Sequence, residues 1–357
     1  MGALVRLAIG PDGSIFIAGS TDHSFVLDGV PCGADVVGSV FMLKLNPEGV
    51  AQWCKGLDAG VSSVTEMVLV GETAVMVGIC QDGQDSSGFI GRFSTGPDGD
   101  TSHVCITNGN DVRVWGATVD DGRVVVAGDF EGKLTLAKPH VAAGSDIFVA
   151  RFDPQTWLAN TPPAWDFSEH FGGPERDVAR SIARGGDGKL AIVGFAENWQ
   201  ECENADDLPK GGSDALFALY APSGDGYVHT KTLCYGDLKY SVGTQVAPLP
   251  GSGFVWQGQT DGGVLFDPPH QIGPINTGLS LFITSWTESA GVTATYAPKT
   301  FNSNSLWGFL GLAADPLGTV LAGESQRDVS FPGSPDTENN DYHVFLLRLT
   351  PDLTMTP

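Results

Sequence analysis

One pattern recurs six times along the chain and constrains it more than any other feature. A short β-type run ends on glycine at Gly19, Gly78, Gly128, Gly194, Gly258 and Gly323, with gaps of 59, 50, 66, 64 and 65 residues. After each glycine comes a pair of apolar residues four apart: Phe41/Leu45, Phe89/Phe93, Phe148/Phe152, Leu216/Tyr220, Phe282/Trp286 and Phe345/Leu349. Residues four apart on a strand share one face, so each pair buries that face against something. Two markers repeated six times in the same order define an internal repeat.

Turn chemistry divides each repeat further. PDG at 11–13, DDG at 120–122, GDG at 186–188, PGSG at 250–253 and DPLG at 315–318 each precede a glycine-ending strand. Asp-Gly between apolar runs signals a hairpin, because glycine accepts the positive φ the turn demands. A repeat therefore reads as four strands: one before the turn, one ending at the glycine, one carrying the apolar pair, and one closing the unit. The fourth repeat shows the order as RSIAR, KLAIVG, DALFALY and YVHTKTLC.

A four-stranded unit of this size cannot cover both of its own faces, so neighbouring copies supply its core. The expected fold is all-β, a single β-propeller domain over 1–357 with about six four-stranded blades. Blades fall near 1–60, 61–110, 111–175, 176–238, 239–304 and 305–357, and the last has little chain left for its fourth strand. A β-sandwich pair or a β-helix is the competing all-β reading. With 48 Gly and 22 Pro among 357 residues, the chain has the turns that many short strands require.

The segment AGDFEGKLTLAKPHVAAGSDIFVARFDP (127–154), followed by FGGPERDVARSIARGGDGKLAIVG (171–194), resembles the bacterial SBBP repeat, named for a seven-bladed β-propeller. The shared features are a Gly-ending strand, a D-x-F-V strand and F-G-G before the next blade. Blades 3 and 4 carry the likeness best, and blade 2 is shortened. The resemblance implies extracellular or cell-surface placement, often in large bacterial proteins. It implies no catalytic residue, and its name implies seven blades where the repeat gives six.

The six cysteines sort by blade. Cys32, Cys80 and Cys202 follow the glycine-ending strand, and Cys54, Cys105 and Cys234 lie in the fourth strand of the same blades. One pair per blade, with none in blades 3, 5 and 6, predicts Cys32–Cys54, Cys80–Cys105 and Cys202–Cys234. Disulfides imply an oxidising compartment, hence a secreted or cell-surface protein. Free buried thiols in a cytosolic protein are the rival reading. The N-terminus MGALVRLAIGPDG reads as a strand and turn rather than a signal peptide, so a secretion signal is expected to have been removed, with Met1 added for expression.

Nineteen Lys and Arg against 42 Asp and Glu give 19 − 42 = −23. Such a field repels phosphate backbones and anionic headgroups, which argues against nucleic-acid partners. No apolar run reaches the ~18 residues of a membrane span, so membrane insertion is not expected.

In a propeller, the loops from second to third strand and from fourth strand to the next blade share one end of the sheets. From glycine to the first apolar marker the distances are 22, 11, 20, 22, 24 and 22 residues, so five long loops crowd that end. Long loops on a rigid scaffold are candidates for recognition. Trp199 and Glu201 in blade 4, Asp267 and His270 in blade 5, His23 in blade 1 and Phe331 in blade 6 are the candidate ligand-binding residues. Aromatics beside carboxylates stack on sugar rings and accept hydroxyl hydrogen bonds; they equally serve as a loop's own small core. Calcium is the one cofactor considered, through DGQDSSG (82–88) and NNDY (339–342), although neither has the spaced EF-hand pattern.

No HExxH, GxSxG, P-loop or helix-opening GxGxxG is present. The leading expectation is a binding or adhesion module for a glycan or an extracellular protein. The alternatives are a polysaccharide- or ester-cleaving hydrolase or lyase, with acids and histidines such as His23, His140 and His270 converging at the channel mouth, and a structural spacer.

Overall fold

The computed structural model describes residues 5–33, 39–58, 60–82, 85–107, 110–157, 161–197, 202–203, 212–236, 239–261, 264–265, 271–272, 280–296, 306–325 and 343–354. Among them there is no helix. The fold is an all-β propeller of six antiparallel sheets, each formed by one contiguous stretch of chain.

The chain divides into two compact units, Met1–Gly172 and Gly173–Pro357. The first unit holds three sheets. Sheet 1 is β1 (Val5–Ile9), β2 (Ile15–Thr21), β5 (Ser39–Leu45) and β6 (Ala51–Asp58), with a small hairpin β3 (Phe25–Leu27) and β4 (Val30–Cys32) inserted. Sheet 2 is β7 (Val61–Val70), β8 (Thr73–Asp82), β9 (Asp85–Ser94) and β10 (Thr101–Ile106). Sheet 3 is β11 (Asn110–Asp120), β12 (Arg123–Thr135), β13 (Pro139–Phe152) and β14 (Trp165–Phe171).

The second unit holds the other three. Sheet 4 is β15 (Asp177–Arg184), β16 (Leu190–Glu197), β17 (Ser213–Ser223) and β18 (Gly226–Tyr235). Sheet 5 is β19 (Ser241–Pro248), β20 (Gly253–Thr260), β23 (Ser280–Thr287) and β24 (Gly291–Tyr296), with a hairpin β21 (Val264–Leu265) and β22 (Gln271–Ile272) inserted. Sheet 6 has three strands among the described residues: β25 (Leu306–Asp315), β26 (Gly318–Ser325) and β27 (His343–Leu349). Within each unit the first strands run beside one another, β1–β7–β11 and β15–β19–β25, which is the radial packing of a propeller.

The turns follow the expected chemistry. Asp121 and Gly122 both have positive φ (46° and 82°), the requirement of a type I′ hairpin. Gly13, Gly188 and Gly251 carry positive φ at the corresponding turns of sheets 1, 4 and 5.

The two sequence markers turn out to be one structural feature. Each marker glycine is the cross-strand partner of its blade's first apolar marker: Gly19 and Phe41, Gly78 and Phe89, Gly128 and Phe148, Gly194 and Leu216, Gly258 and Phe282, Gly323 and Phe345. On its other edge the glycine meets a register shift in the first strand, seen in sheets 2 to 6. Such a bulge pushes a backbone carbonyl toward the neighbouring strand. A Cβ on Gly78, Gly128, Gly194 or Gly258 would overlap the carbonyl oxygen of Ser63, Arg113, Val178 or Val242. Only glycine fits there.

In sheets 2, 3 and 5 the apolar pairs then pack against the preceding sheet. Phe89 and Phe93 share a core with Phe16, Val40 and Met42 of sheet 1; Phe148 and Phe152 with Val75, Val77 and Ile90 of sheet 2; Phe282 and Trp286 with Phe217 and Tyr235 of sheet 4. Each middle sheet thus has two apolar faces, consistent with the need for a neighbour on both sides.

Cys32–Cys54, Cys80–Cys105 and Cys202–Cys234 are all bonded, with Cα separations of 5.2, 6.0 and 5.7 Å. Cys80 differs in place from the sequence reading: it lies within β8 rather than in a loop after it, because β8 and β9 pair up to Asp82 and Asp85. The β8–β9 ladder therefore includes Asp82 and the Asp85–Gly88 part of the DGQDSSG stretch. Sheet 3 also departs from the expected long loop. Its second-to-third connection is a continuation of the β12–β13 ladder as far as Thr135 and Pro139.

Candidate functional site

The bulge in each first strand introduces one residue with no partner in the regular register, and a bulge re-aims its side chain. In sheets 2 to 5 those residues are Thr65, Trp115, Arg180 and Thr244. Each reaches toward the second strand, and the chemistry differs from blade to blade. Thr65 donates its hydroxyl hydrogen toward the Val77 and Val114 carbonyls at 3.1 and 2.7 Å, and Thr244 donates to the Gln257 carbonyl at 3.3 Å. Trp115 and Arg180 instead meet the residue that follows the marker glycine, Asp129 in sheet 3 and Phe195 in sheet 4.

In sheet 3 this produces a closed polar centre. Asp129 has no solvent exposure, accepts the Trp115 indole N–H, and pairs with Arg113 at 3.0 Å. Ser145 Oγ donates to the same carboxylate at 3.5 Å. Beyond Phe130 lies a chain of hydrogen-bonding groups. Ser168 Oγ is 2.8 Å from His140 Nε2, His140 Nδ1 is 3.0 Å from His170 Nδ1, and His170 Nε2 is 3.6 Å from Asp146 Oδ2. Burial pushes His140 down to about 4, assisted by His170 and Lys138 and opposed by Glu169. Burial raises the Asp146 carboxyl, with His170 opposing. The Ser–His–His–Asp order is that of a proton relay, but His140 and Ser168 are only 2% and 3% exposed. No substrate reaches that serine in this conformation, so the chain acts as a buried hydrogen-bond network.

In sheet 4 the equivalent position is open. The Arg176 guanidinium carbon sits 5.3 Å from the Phe195 ring centroid and that of Arg180 5.9 Å. The Tyr240 ring lies 6.1 Å from the same ring and is 38% exposed. Two backbone-anchored loops hold this arrangement. Glu197 N–H donates to the Arg176 carbonyl at 3.0 Å, and Asp261 N–H donates to the Tyr240 carbonyl at 3.0 Å. Asp261 Oδ1 in turn accepts the Tyr240 N–H at 2.7 Å. Burial raises the Tyr240 phenol; Arg180 and Arg176 oppose that shift, and Asp261 and Glu197 add to it. Two guanidinium groups and the partly exposed Tyr240 ring gather on the buried Phe195 ring, with the Glu197 and Asp261 carboxylates close enough to act on the Tyr240 phenol.

Of the residues expected from sequence, His23 is described. It is exposed and sits in a turn where Thr21 Oγ1 donates to its carbonyl at 2.7 Å and accepts its N–H at 3.2 Å. Trp199, Glu201, Asp267, His270 and Phe331 lie outside the described residues, as does NNDY at 339–342. Among the described residues, no three His, Cys, Asp or Glu side chains converge as a metal-binding set. His140 contacts His170 from its own sheet.

Sequence reasoning missed Arg176, Arg180 and Tyr240. A signal existed: Arg180 stands 14 residues before Gly194, as Thr244 stands 14 before Gly258, and Thr65 and Trp115 stand 13 before Gly78 and Gly128. Aligning the repeats on the glycines exposes this as a variable polar position. The β3–β4 hairpin was missed too, although Asp28-Gly29 between apolar residues is a hairpin signal and both residues have positive φ (48° and 82°).

No protein-family model matches the chain, and no curated protein matches its sequence. Solved structures do match it. They include the crystal structure of a DUF4221-family member from Bacteroides vulgatus, 7% identical, aligned over 97% of this chain and 92% of that one with a TM-score of 0.42.

Proposed function

We propose that this propeller is a secreted or cell-surface binding module that holds a glycan or an extracellular protein. The ligand lies at the end of the sheets where second-to-third and fourth-to-first connections emerge. The observation that carries the reading is the open Arg176–Arg180–Phe195–Tyr240 surface at that end of sheet 4. A solvent-facing aromatic beside donors and acceptors is the chemistry of sugar and protein recognition. The burial of Ser168 and His140 favours binding over hydrolysis. Three disulfides support an oxidising compartment.

The test is a glycan array together with a panel of extracellular and cell-surface proteins, each probed with calcium and with chelator. Selective capture of one class, weakened by Tyr240→Ala, is expected. The two calcium arms report whether Asp-rich loops take part. Silence on both panels would overturn the binding reading and leave a structural spacer.

A further inference from the structure

Resting on that reading, we propose that the Arg176–Arg180–Phe195–Tyr240 surface takes a sugar ring carrying a single carboxylate. Arg176 is exposed, and among the described residues it makes no ion pair with a carboxylate. Arg113, Arg123, Arg151 and Arg348 each pair with Asp at 3.3 Å or less. A guanidinium held over a ring by cation–π attraction, as Arg176 is at 5.3 Å from the Phe195 centroid, still has N–H donors to offer, and its planar fork fits a carboxylate bidentately. Arg180 brings a second positive charge to the same ring, 5.9 Å from its centroid.

Tyr240 supplies the other half of the surface. Its exposed ring is a platform for the C–H face of a pyranose. Glu197 and Asp261, on the two loops that anchor the patch, are partly exposed, and carboxylates accept sugar hydroxyl hydrogens. Charge limits the ligand further. The net charge of −23 opposes any polyanion, whereas one carboxylate held at the arginines is screened from the remaining acids beyond roughly 10 Å. A uronic-acid-terminated oligosaccharide satisfies all of these conditions; a polyuronate or an acidic peptide lacks either the low charge or the ring.

The experiment is calorimetric titration of the whole chain with cellobiouronic acid, its methyl ester, cellobiose and triglutamate, in 0.05 and 0.5 M NaCl. Cellobiouronate is expected to bind at least tenfold tighter than cellobiose or the methyl ester. That margin should shrink in high salt, vanish in Arg176→Gln and survive in part in Arg176→Lys, while Tyr240→Ala weakens acid and ester together. Equal binding of acid and ester, unchanged discrimination in Arg176→Gln, or triglutamate binding as tightly as cellobiouronate would overturn the proposal. The acid–ester comparison on the unmodified chain needs no variant to fold. If the array finds a ligand whose capture Arg176→Gln leaves unaltered, the binding reading stands and this inference falls. If the array is silent, both fall.

Discussion

Gly128 stands directly opposite Phe148 across the β12–β13 ladder, with the Arg113 carbonyl pressed over the glycine from the other side. The same relationship holds at Gly194, where a Cβ would overlap the Val178 carbonyl. A methyl group there has to displace backbone, not the tip of a flexible side chain. Gly194→Ala is expected to cost about 2–4 kcal/mol. Gly311→Ala, where a Cβ meets nothing within 4 Å, should change stability by less than about 1 kcal/mol. Urea unfolding of the two variants separates a steric role from a general glycine effect; equal losses would refute the bulge explanation.

That relationship also explains which parts of the molecule could be read from the sequence. The glycine and the apolar pair are forced by backbone geometry that every blade repeats, so they recur and are visible. Pairing of the cysteines followed from the same register. The Arg180–Phe195 contact is harder to read, because a bulge residue is chosen by what lies beside it in one blade, and Thr65, Trp115, Arg180 and Thr244 span three residue types. Sheet 3's ladder beyond Glu131 was read as a loop because 20 residues separate Gly128 from Phe148. Gly132 in fact has φ 69° at a register shift within the strands.

In blades 1, 2 and 4 a disulfide ties the fourth strand to the second strand or to the connection that follows it. Loops of 22, 25 and 32 residues are closed, and each bond is expected to add roughly 3 kcal/mol through the chain-entropy term. Non-reducing peptide mapping should recover three intact pairs and no alkylated cysteine. Reduction should lower the melting temperature, and Cys202→Ser with Cys234→Ser should reproduce part of that fall. Six alkylated thiols before reduction would remove both the pairing and the argument for an oxidising compartment.

His140 makes stability depend on pH in a defined direction. Burial lowers its pKa from the ordinary 6.5 to about 4, so the folded state favours the neutral ring. The stabilisation is full above pH 6.5, and is lost as pH falls through the interval down to about 4. The difference corresponds to roughly 3 kcal/mol at about 1.4 kcal/mol per pH unit. Asp146, whose carboxyl burial raises, works against this loss at the acid end. Unfolding free energies at pH 7.5, 5.5 and 4.5 should fall more steeply for the native chain than for His140→Gln. Parallel slopes would show that the ring does not titrate as a buried neutral group.

Arg151 and Arg123 share one acceptor, Asp166, yet they should contribute very different amounts. Arg151 is 8% exposed at its side chain; it donates to Asp166 at 2.8 Å and to Asp120 at 3.3 Å. Arg123 meets Asp166 at 2.8 Å but is 45% exposed. An exposed pair of this kind is worth under about 1 kcal/mol. Removing one member of a buried pair leaves uncompensated charge and costs about 3–5 kcal/mol. Arg151→Ala also strips packing from the C-terminal end of β13, whereas Arg151→Met keeps the volume and isolates the electrostatic part. Arg151→Met is therefore expected to lose several-fold more stability than Arg123→Met in urea unfolding. Adding Asp120→Asn and Asp166→Asn should recover much of the loss by removing the stranded carboxylates. Equal effects of the two arginine substitutions would mean that burial, and not the shared aspartate, has been misjudged as the source of the difference.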